Sequence, residues 1–347
     1  MPEENLLDTF YDESNELDAP ILRLLDIKIL QVLQRHSDAK HPLTQQKIID
    51  YLAKDFNGEI CDRRSVSKNI RSLKDAGINI VSSKKGSWLV RDFDESELRM
   101  LIDSVLFSKN IPTDKVQSLI DKLKNLANEY FSAKVKHIIN LPRLQHSDNA
   151  QVMTSLDILN DAIHAKKKVT FVYNKYGKDL KLHPRRSTPY KVSPYQMAAT
   201  NGNYYLIANT DGYNNISHYR IDRMTEVTML DESARDNRDQ KNKIEGCVGG
   251  LNLPEHMAQN IYMFGGKSIW VNFWTCEFMI DTIVDWFGKN FKILQITDEK
   301  ILVEVKVNEN AIKYWAMQYG ENVEIVKPES LRREIHDMAE KIMQAHS

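Results

Sequence analysis

Residues 190–224 read YKVSPYQMAATNGNYYLIANTDGYNNISHYRIDRM, and within them short β-prone runs replace the helical spacing of the preceding chain. Asn201-Gly202 lies between two of these runs and is a strong signal for a two-residue hairpin turn. Counted outward from this stretch, the β-prone runs are Val169–Tyr173, Tyr190–Thr200, Asn203–Asn209, Ser217–Ile221 and Glu226–Leu230. Several short strands at this spacing predict a small barrel or a sandwich.

Strand and helix signals alternate over residues 268–345, toward the C-terminus. The predicted order is strand Ser268–Trp274, helix Phe278–Phe287, strands Lys292–Thr297 and Lys300–Val307, helix Ala311–Gln318, strand Asn322–Val326 and a helix from Glu329. This βαββαβα order fits a ferredoxin-like unit with one extra helix. Between it and the β-rich segment, residues 231–247 are highly charged and lack a β-prone run, which predicts a linker or an exposed loop.

Toward the N-terminus, residues 21–91 show three helical segments followed by two short β-prone runs. Apolar residues recur at three- and four-residue spacing in each helical segment, and Thr44 and Asp62 are the expected N-caps of the second and third helices. Lys84-Lys85-Gly86 separates the two β-prone runs and is typical of a hairpin turn. Three helices and a two-strand hairpin are the plan of a winged helix-turn-helix.

Residues 94–165 are predicted to be mainly helical and to connect these parts. Asp94 is the expected cap of the first helix, and a further helix is expected at about 152–165. Apolar stripes at residues 98–105 and 119–130 are the surfaces that we expect at a subunit interface. The whole chain is therefore predicted to be an α+β multidomain protein.

Charge is unevenly distributed along the 347 residues, although the net charge is only −1. Residues 1–20 carry seven acidic and no basic residues, which predicts an acidic, loosely ordered tail. Residues 62–91 carry eight basic and two acidic residues, and residues 164–191 carry nine basic residues and a single acid, Asp179. The net charge excludes a globally basic nucleic-acid binder, but the two locally basic segments fit contact with an anionic partner.

The third predicted helix, Asp62–Ala76, has an apolar stripe on Val66, Ile70 and Leu73 that is expected to pack inward. Its opposite face then turns basic and polar side chains outward. Arginine can donate to guanine edges, and lysine and serine can hold phosphates, so such a face suits a DNA groove. The predicted DNA-contacting residues, with those of the hairpin tip, are Arg63, Arg64, Ser67, Lys68, Arg71, Lys84 and Lys85. The alternative is an ordinary solvated helix face.

Basic and aromatic residues interleave along the β-rich segment. Alternate residues of a strand face the same way, so His218 and Arg220 share one face while Tyr219 and Ile221 share the other. Guanidinium groups bind phosphate in a fork and tyrosine rings stack on bases, so a concave sheet with both suits an oligonucleotide or a phosphorylated nucleotide. The alternative is that the tyrosines are core residues and the arginines form surface salt bridges.

Three blocks of this segment resemble the WYL domain of bacterial transcriptional regulators. They are Ser193-Pro194-Tyr195-Gln196, Asn201-Gly202-Asn203-Tyr204-Tyr205-Leu206 and His218-Tyr219-Arg220-Ile221-Asp222-Arg223-Met224. The Trp-Tyr-Leu triad of the family name corresponds to Tyr204-Tyr205-Leu206, where the first position keeps only its aromatic character. The N-terminal segment resembles the DeoR-like domains that precede WYL domains, and Tyr314–Gly320 with Val323–Arg332 is similar to the C-terminal extension called WCX.

The resemblance implies an Sm-like small β-barrel whose basic pocket binds a nucleic acid or a nucleotide-type signal and adjusts the DNA-binding domain. Carried over by position, the pocket residues are Tyr195, Tyr205, His218, Arg220 and Arg223. Arg185, Arg186 and Tyr190 are added as further effector-binding residues. The resemblance also implies a homodimer, with contacts through the WCX domain and the middle helices.

The sequence lacks the signatures of catalysis. It has no GxxxxGK[ST] phosphate-binding loop, no GxSxG and no HExxH, and its histidines are scattered without a ligand cluster. Cys61, Cys247 and Cys276 form no CxxC pair. We therefore predict that the protein is not an enzyme and that it has no metal site and no cofactor.

Together these patterns predict a ligand-responsive, DNA-binding transcription regulator whose partner is a double-stranded DNA operator. The alternative is a WYL-type accessory protein that binds single-stranded nucleic acid and modulates a partner enzyme, as in phage defence. The N-terminus lacks the regions of a signal peptide and no apolar run reaches the length of a membrane helix, so we expect a cytoplasmic protein without a membrane partner. The expected segments are an acidic tail (1–20), a winged helix-turn-helix (21–91), a helical linker for dimerisation (92–150), a WYL effector-binding domain (151–232), a linker (233–265) and a WCX domain (266–347).

Overall fold

The computed structural model describes residues 18–56, 61–132, 146–147, 149–236, 244 and 250–347. The chain forms two compact units, one of residues 1–108 with 113–146 and the other of residues 109–112 with 147–347. The first unit contains helices and one small hairpin, and the second contains two antiparallel sheets with flanking helices. The predicted mixture of α and β structure is therefore present. In the described ranges, no helix is both long enough and apolar enough to span a bilayer.

The first unit begins with three helices and a two-stranded antiparallel hairpin. Their bounds are α1 Asp18–His36, α2 Gln45–Asp55, α3 Arg63–Asp75, β1 Ile80–Ser83 and β2 Gly86–Leu89. Both predicted caps are present, since the Thr44 hydroxyl accepts a hydrogen bond from Lys47 N at 3.3 Å and the Asp62 carboxylate accepts one from Ser65 N at 2.7 Å. The chain thus has the order of elements that was predicted for residues 21–91.

The three helices share one buried apolar cluster. Its fully buried members include Ile29, Leu33, Ile48, Leu52 and Val66. Helix α1 begins at Asp18, so the predicted tail ends earlier than residue 20. Pro20 is tolerated there because the first turn of a helix does not use its backbone N–H groups for helical hydrogen bonds. Residues 1–17 of the predicted tail lie outside the described residues.

The first unit contains two further helices, α4 Glu95–Leu106 and α5 Thr113–Lys124. Asp94 caps α4 as predicted, and its carboxylate and that of Glu97 form a reciprocal capping box. The helix predicted over 119–130 is interrupted, because α5 ends at Lys124 and residues 129–132 are helical again. The buried face of α5 is Val116 and Ile120, while Leu126 of the predicted stripe is exposed.

The second unit opens with α6 Val152–Ala165 and a curled antiparallel sheet. The strands are β3 Lys167–Tyr176, β4 Leu182–Pro184, β5 Tyr190–Thr200, β6 Asn203–Thr210, β7 Ile216–Arg220 and β8 Met224–Ser233. The order is β4-β3-β5-β6-β7, and β8 also pairs with β3. Asn201 and Gly202 join β5 to β6 with φ angles of 50° and 73°, as the predicted hairpin requires. Strand β4 was not predicted, because it is only three residues long and ends in proline.

A second antiparallel sheet lies in the C-terminal part of this unit. The elements are α7 Leu253–Gln259, β9 Ser268–Thr275, α8 Ile280–Phe287, β10 Phe291–Ile296, β11 Ile301–Asn308, α9 Glu309–Gln318, β12 Val323–Lys327 and α10 Glu329–Ala345. From β9 onward they follow the predicted βαββαβα order, in a sheet ordered β10-β11-β9-β12. Trp315 is fully buried, and its ring packs against the rings of Phe273 and Phe287.

The segment predicted as a linker, residues 233–265, is not all loop. Strand β8 extends to Ser233, and Asn252 caps the seven-residue helix α7 by accepting a hydrogen bond from Glu255 N. Apolar residues of this segment, among them Ile244, pack on the curled sheet and cover one face of β6 and β7. Residues 237–243 and 245–249 lie outside the described residues.

Candidate functional site

The outward face of α3 carries the basic residues that the sequence predicts. Val66, Ile70 and Leu73 are buried in the helical cluster, so the opposite side of the helix faces solvent. The exposed residues there are Arg63, Arg64, Ser67, Lys68 and Arg71. Lys84 and Lys85 are exposed at the turn of the hairpin. The structure therefore places all seven predicted DNA-contacting residues at the surface of the first unit.

Side-chain hydrogen bonds fix the position of α3 relative to α2 and the hairpin. The Gln45 amide donates to the Ser67 hydroxyl, and Arg63 Nη2 donates to Gln46 Oε1 at 3.0 Å. On the other side, Lys74 Nζ donates to the Ser82 hydroxyl at 2.9 Å. These bonds hold α3 between its two neighbours, so its basic face keeps a defined orientation.

A groove of about 480 Å³ runs between α3 and the hairpin and is lined by Arg71 and Lys84 among others. The hairpin is fastened beside the groove by two backbone hydrogen bonds of 2.8 Å between Leu43 and Ser87. Gly86 makes this close approach possible, because a Cβ there would lie 2.5 Å from the carbonyl carbon and oxygen of Leu43. Its φ of 139° also belongs to a region that favours glycine.

Five of the predicted DNA-contacting cations, on α3 and at the hairpin turn, form no ion pair with a described carboxylate. In the described part of the chain, no Asp or Glu oxygen lies within 4.0 Å of a side-chain nitrogen of Arg64, Lys68, Arg71, Lys84 or Lys85, whereas Lys168 and Lys191 in the second unit are paired. Unpaired cations on one face attract a polyanion strongly at low salt. The face can therefore bind phosphates without first breaking ion pairs of its own.

The predicted effector residues lie in two different places in the second unit. Tyr205 of β6 pairs directly with Arg220 of β7, and Ile207 pairs with His218, so Tyr205, His218 and Arg220 share one face of the sheet. Tyr190 belongs instead to the opposite, interior cluster, where its ring stacks on Phe171 at a centroid distance of 5.7 Å.

Arg220 is held by a carboxylate two residues further along the chain. Its Nε and Nη2 donate to the two oxygens of Asp222 at 3.0 and 2.7 Å, and its backbone N–H donates to the Tyr173 hydroxyl at 3.2 Å. Burial acts to lower the pKa of Arg220, but the Asp222 carboxylate outweighs that effect and raises the pKa above its ordinary value. Arg220 is therefore a fixed cation with a set orientation.

Arg223 and Tyr205 complete the polar group around Arg220. Arg223 Nε is buried and has no hydrogen-bond partner in the described ranges. Burial raises the pKa of the Tyr205 hydroxyl, and the positive charges of Arg220 and Arg223 act against that rise. The two guanidinium groups and the phenol thus lie within electrostatic reach of one another. A buried N–H without a partner is costly, and an anion that accepts from it would remove that cost.

His218 and Tyr195 lie on the face of the sheet that apolar residues of the segment 233–265 cover, and His218 also borders a cleft of about 490 Å³. Tyr195 packs in the same cluster as Leu251, Leu253 and Met257, and His218 Nε2 lies 2.7 Å from Nε2 of His256 on α7. Burial and then the neighbouring His256 lower the pKa of His218 to about 3, and burial lowers the pKa of His256 to about 4. Both rings are therefore neutral near pH 7.

Arg185 and Arg186 are exposed just after β4, where Arg185 N donates to the Tyr173 carbonyl at 2.8 Å. The guanidinium of Arg186 lies 3.5 Å from the centroid of the Tyr190 ring, and it donates to the carbonyls of Thr188 and Pro189. Tyr173 lies between this group and Arg220, because its ring is 5.8 Å from that of Tyr190 and its hydroxyl accepts from Arg220 N.

Sequence reasoning missed two residues of this site. Asp222 lies within the His218–Met224 block, and its spacing of two residues from Arg220 across a short turn is the signal that could have identified its role. His256 left no signal, because it is 38 residues from His218 and its segment was expected to be a linker.

Comparison with known proteins identifies two domains. A family model described as the WYL domain matches residues 154–229, and one described as the WCX domain matches residues 277–343. These matches confirm the resemblance found in the sequence. No curated protein sequence matches the chain.

Two solved structures are similar to most of the chain at low identity. Proteasome accessory factor B/C (PafBC) of Arthrobacter aurescens matches 96% of this chain and 50% of its own, with 15% identity and a TM-score of 0.28. A CRISPR Cas-related protein matches 99% of this chain and 88% of its own, with 12% identity and a TM-score of 0.38. The chain therefore spans half the length of the PafBC structure. Together with the family matches, the sequence blocks make this chain a WYL-domain protein, with its WYL domain at residues 154–229 and a WCX domain at residues 277–343.

Proposed function

We propose that the protein is a transcription regulator that binds an operator through α3 and the β1–β2 hairpin. The observation that supports this most directly is the set of exposed cations on α3 and at the hairpin turn that form no ion pair among the residues that the structure describes. In this proposal residues 21–91 are a winged helix-turn-helix, α3 enters the major groove, and Lys84 and Lys85 contact flanking phosphates. Arg64 and Arg71 are the side chains placed best to reach base edges.

DNA from upstream of the protein's own gene tests this function. We expect a discrete palindromic footprint on this DNA. Arg64→Ala or Arg71→Ala should weaken operator binding by about 1–3 kcal/mol where a base contact is lost. The affinity of each variant should also depend less on salt concentration than that of wild type. Arg332→Ala removes one exposed positive charge from α10 and serves as the matched control. Unchanged binding by both α3 variants would remove α3 from the interface.

A footprint also separates the regulator from its main alternative. If the protein instead leaves no footprint on duplex DNA and binds single strands more tightly as they become longer, the accessory protein that modulates a partner enzyme is favoured. The exposed Arg186 stacked on Tyr190 is the feature that such a role would use, because bases stack on aromatic and guanidinium planes.

We also propose that the WYL domain, as an Sm-like barrel, binds a phosphate-bearing nucleotide or nucleic-acid effector beside Tyr205, Arg220 and Arg223. The buried Arg223 Nε without a partner supports this, since a phosphate oxygen would satisfy it. In this proposal Tyr195 and His218 support the site from beneath the covering segment. Such an effector can alter DNA binding only if it binds one arrangement of a homodimer better than another.

The effector proposal predicts a separation of two activities. Replacing Arg220 and Arg223 together with alanine should abolish binding of nucleotides and short single-stranded DNA, measured by calorimetry, while operator binding without effector is retained. A double Arg332→Ala, Arg333→Ala variant carries the same charge change on α10 and should bind the effector normally. Full effector binding by the Arg220 and Arg223 variant would show that the site lies elsewhere.

A further inference from the structure

Two buried histidines from distant parts of the chain meet at the edge of the curled sheet. His218 lies on β7 and His256 on α7, and their Nε2 atoms are 2.7 Å apart. The two rings are tilted by 45°, with centroids 5.0 Å apart. Two imidazolium cations would repel each other at this distance, so one Nε2–H donates to the lone pair of the other Nε2. Two nitrogen ligand atoms therefore point at one place.

The histidine pair borders a cleft of about 490 Å³ between β7, α7 and the start of β9. Its lining is mainly polar and includes Asn252, Gln259 and Lys306. Glu255 is the one carboxylate among the lining residues that the structure describes, and it precedes His256 directly. Its Oε1 lies 3.7 Å from Lys306 Nζ at the rim. A cleft of this size admits water and small ligands up to the two rings.

The Asn260 side chain orients His256. Its Nδ2 donates to the His256 carbonyl at 2.8 Å and lies 3.4 Å from Nδ1 of the His256 ring. With an amide N–H at Nδ1, His256 carries its proton on Nε2 and donates it to His218. His218 Nδ1 is buried and has no hydrogen-bond partner among the residues that the structure describes.

We propose that His218 and His256 form a two-histidine site for Zn²⁺ or an ion of similar ligand preference, with its remaining coordination positions open to the cleft. Zn–N bonds of about 2.0–2.1 Å at a tetrahedral angle place two ligand nitrogens about 3.3 Å apart. The Nε2 atoms must therefore separate by about 0.6 Å, which small rotations of the two side chains provide.

In the metal-bound form, the ion takes the place of the proton that the two rings share. The proton on His256 moves from Nε2 to Nδ1, and the Asn260 amide shifts away from Nδ1 while its Nδ2 keeps the 2.8 Å hydrogen bond to the His256 carbonyl. Both rings stay neutral, so no proton is gained or lost overall. Glu255 accepts a hydrogen bond from Gln259 Nε2 at 2.7 Å and lies beside Lys306, so the open positions are left to water or a small ligand from the cleft. This inference does not depend on DNA or effector binding.

Zinc titration of the full chain, after removal of metal with a chelator, tests the proposal by calorimetry. The exposed group of His336, Asp337 and Glu340 on α10 could also bind a cation, so all proteins carry His336→Ala. We expect one Zn²⁺ per chain in this background, and a Kd raised by at least about tenfold in His218→Ala and in His256→Ala, because each variant removes one of the two protein ligands. His183→Ala, which removes an exposed histidine from β4, should bind zinc unchanged.

A spectroscopic measurement keeps the test independent of how well the variants fold. Cu²⁺ added to the His336→Ala protein should give an electron paramagnetic resonance spectrum with hyperfine coupling to two imidazole nitrogens, and one nitrogen should be lost in His256→Asn. The proposal is overturned if the His336→Ala protein binds no Zn²⁺ saturably, if binding is unchanged by both histidine variants, or if the copper spectrum shows no imidazole nitrogen.

Discussion

Replacing Gly86 with alanine should detach the β1–β2 hairpin from the helices of the first unit. The new Cβ would lie 2.5 Å from two backbone atoms of Leu43 and 2.9 Å from Thr44 N, and backbone atoms cannot rotate away as a side chain can. Moving the hairpin breaks the two hydrogen bonds between Leu43 and Ser87, worth about 0.5–1.5 kcal/mol each. An alanine held at this φ adds about 1–3 kcal/mol of strain. The expected loss in the free energy of unfolding is therefore about 2–6 kcal/mol.

The matched control is Gly77→Ala, at the end of α3 in the same unit. Gly77 also has a positive φ, of 89°, but a Cβ there meets no atom within 4 Å. Its expected cost is the strain alone, about 1–2 kcal/mol. Urea unfolding followed by circular dichroism measures both values, and operator binding reports whether the hairpin is still in place. Equal losses in the two variants would refute the contact argument, because the difference between them is the steric clash with Leu43.

Three further predictions concern the carboxylates that contact His36 and Arg220. Both ring nitrogens of His36 lie 2.9 Å from carboxylate oxygens, of Asp55 and Glu129, so His36→Gln should lower the free energy of unfolding by about 2–4 kcal/mol in urea titrations. Burial acts to raise the pKa of Asp55, but His36 and Arg35 lower it below the ordinary 3.8, so the stability that the ionised Asp55 contributes is complete above pH 3.8 and is lost as the pH falls through the lowered value. In urea unfolding, wild type should therefore be more stable than Asp55→Asn above pH 3.8, and the difference should shrink as the pH falls below it. Asp222→Asn removes the carboxylate that occupies the Arg220 guanidinium, so calorimetry should show tighter binding of simple anions than in wild type, with operator binding unchanged.

The sequence predicts those parts of the fold whose signals are local. Asn201-Gly202 has the φ angles that its hairpin needs, and Asp62 caps α3, because each depends on a few neighbouring residues. The end of α5 and the short helix α7 were missed, since both depend on packing. Asn252 is a usable cap, but only the apolar contacts of Leu253 and Met257 with the curled sheet make a seven-residue helix stable.

The residues of the candidate site also divide into those that a local pattern predicts and those that it does not. The basic face of α3 follows from its apolar stripe, because the buried face fixes the exposed one. The distribution of the effector residues over two faces could not be read from their spacing, since Tyr190 and Tyr205 lie on different strands whose register is set by pairing. The meeting of His218 with His256 depends on the course of the chain across 38 residues, which no local pattern reports.

The Asp222 carboxylate competes with any other anion for the Arg220 guanidinium. Asp222 already fills the fork of the guanidinium, so a simple monoanion offers Arg220 nothing that it lacks and has to displace a neighbour tethered two residues away. A ligand with a second charge for Arg223 and a ring for Tyr205 gains contacts that Asp222 cannot supply. The turn that holds Asp222 against Arg220 thereby disfavours binding of the small carboxylates that are abundant in a cell.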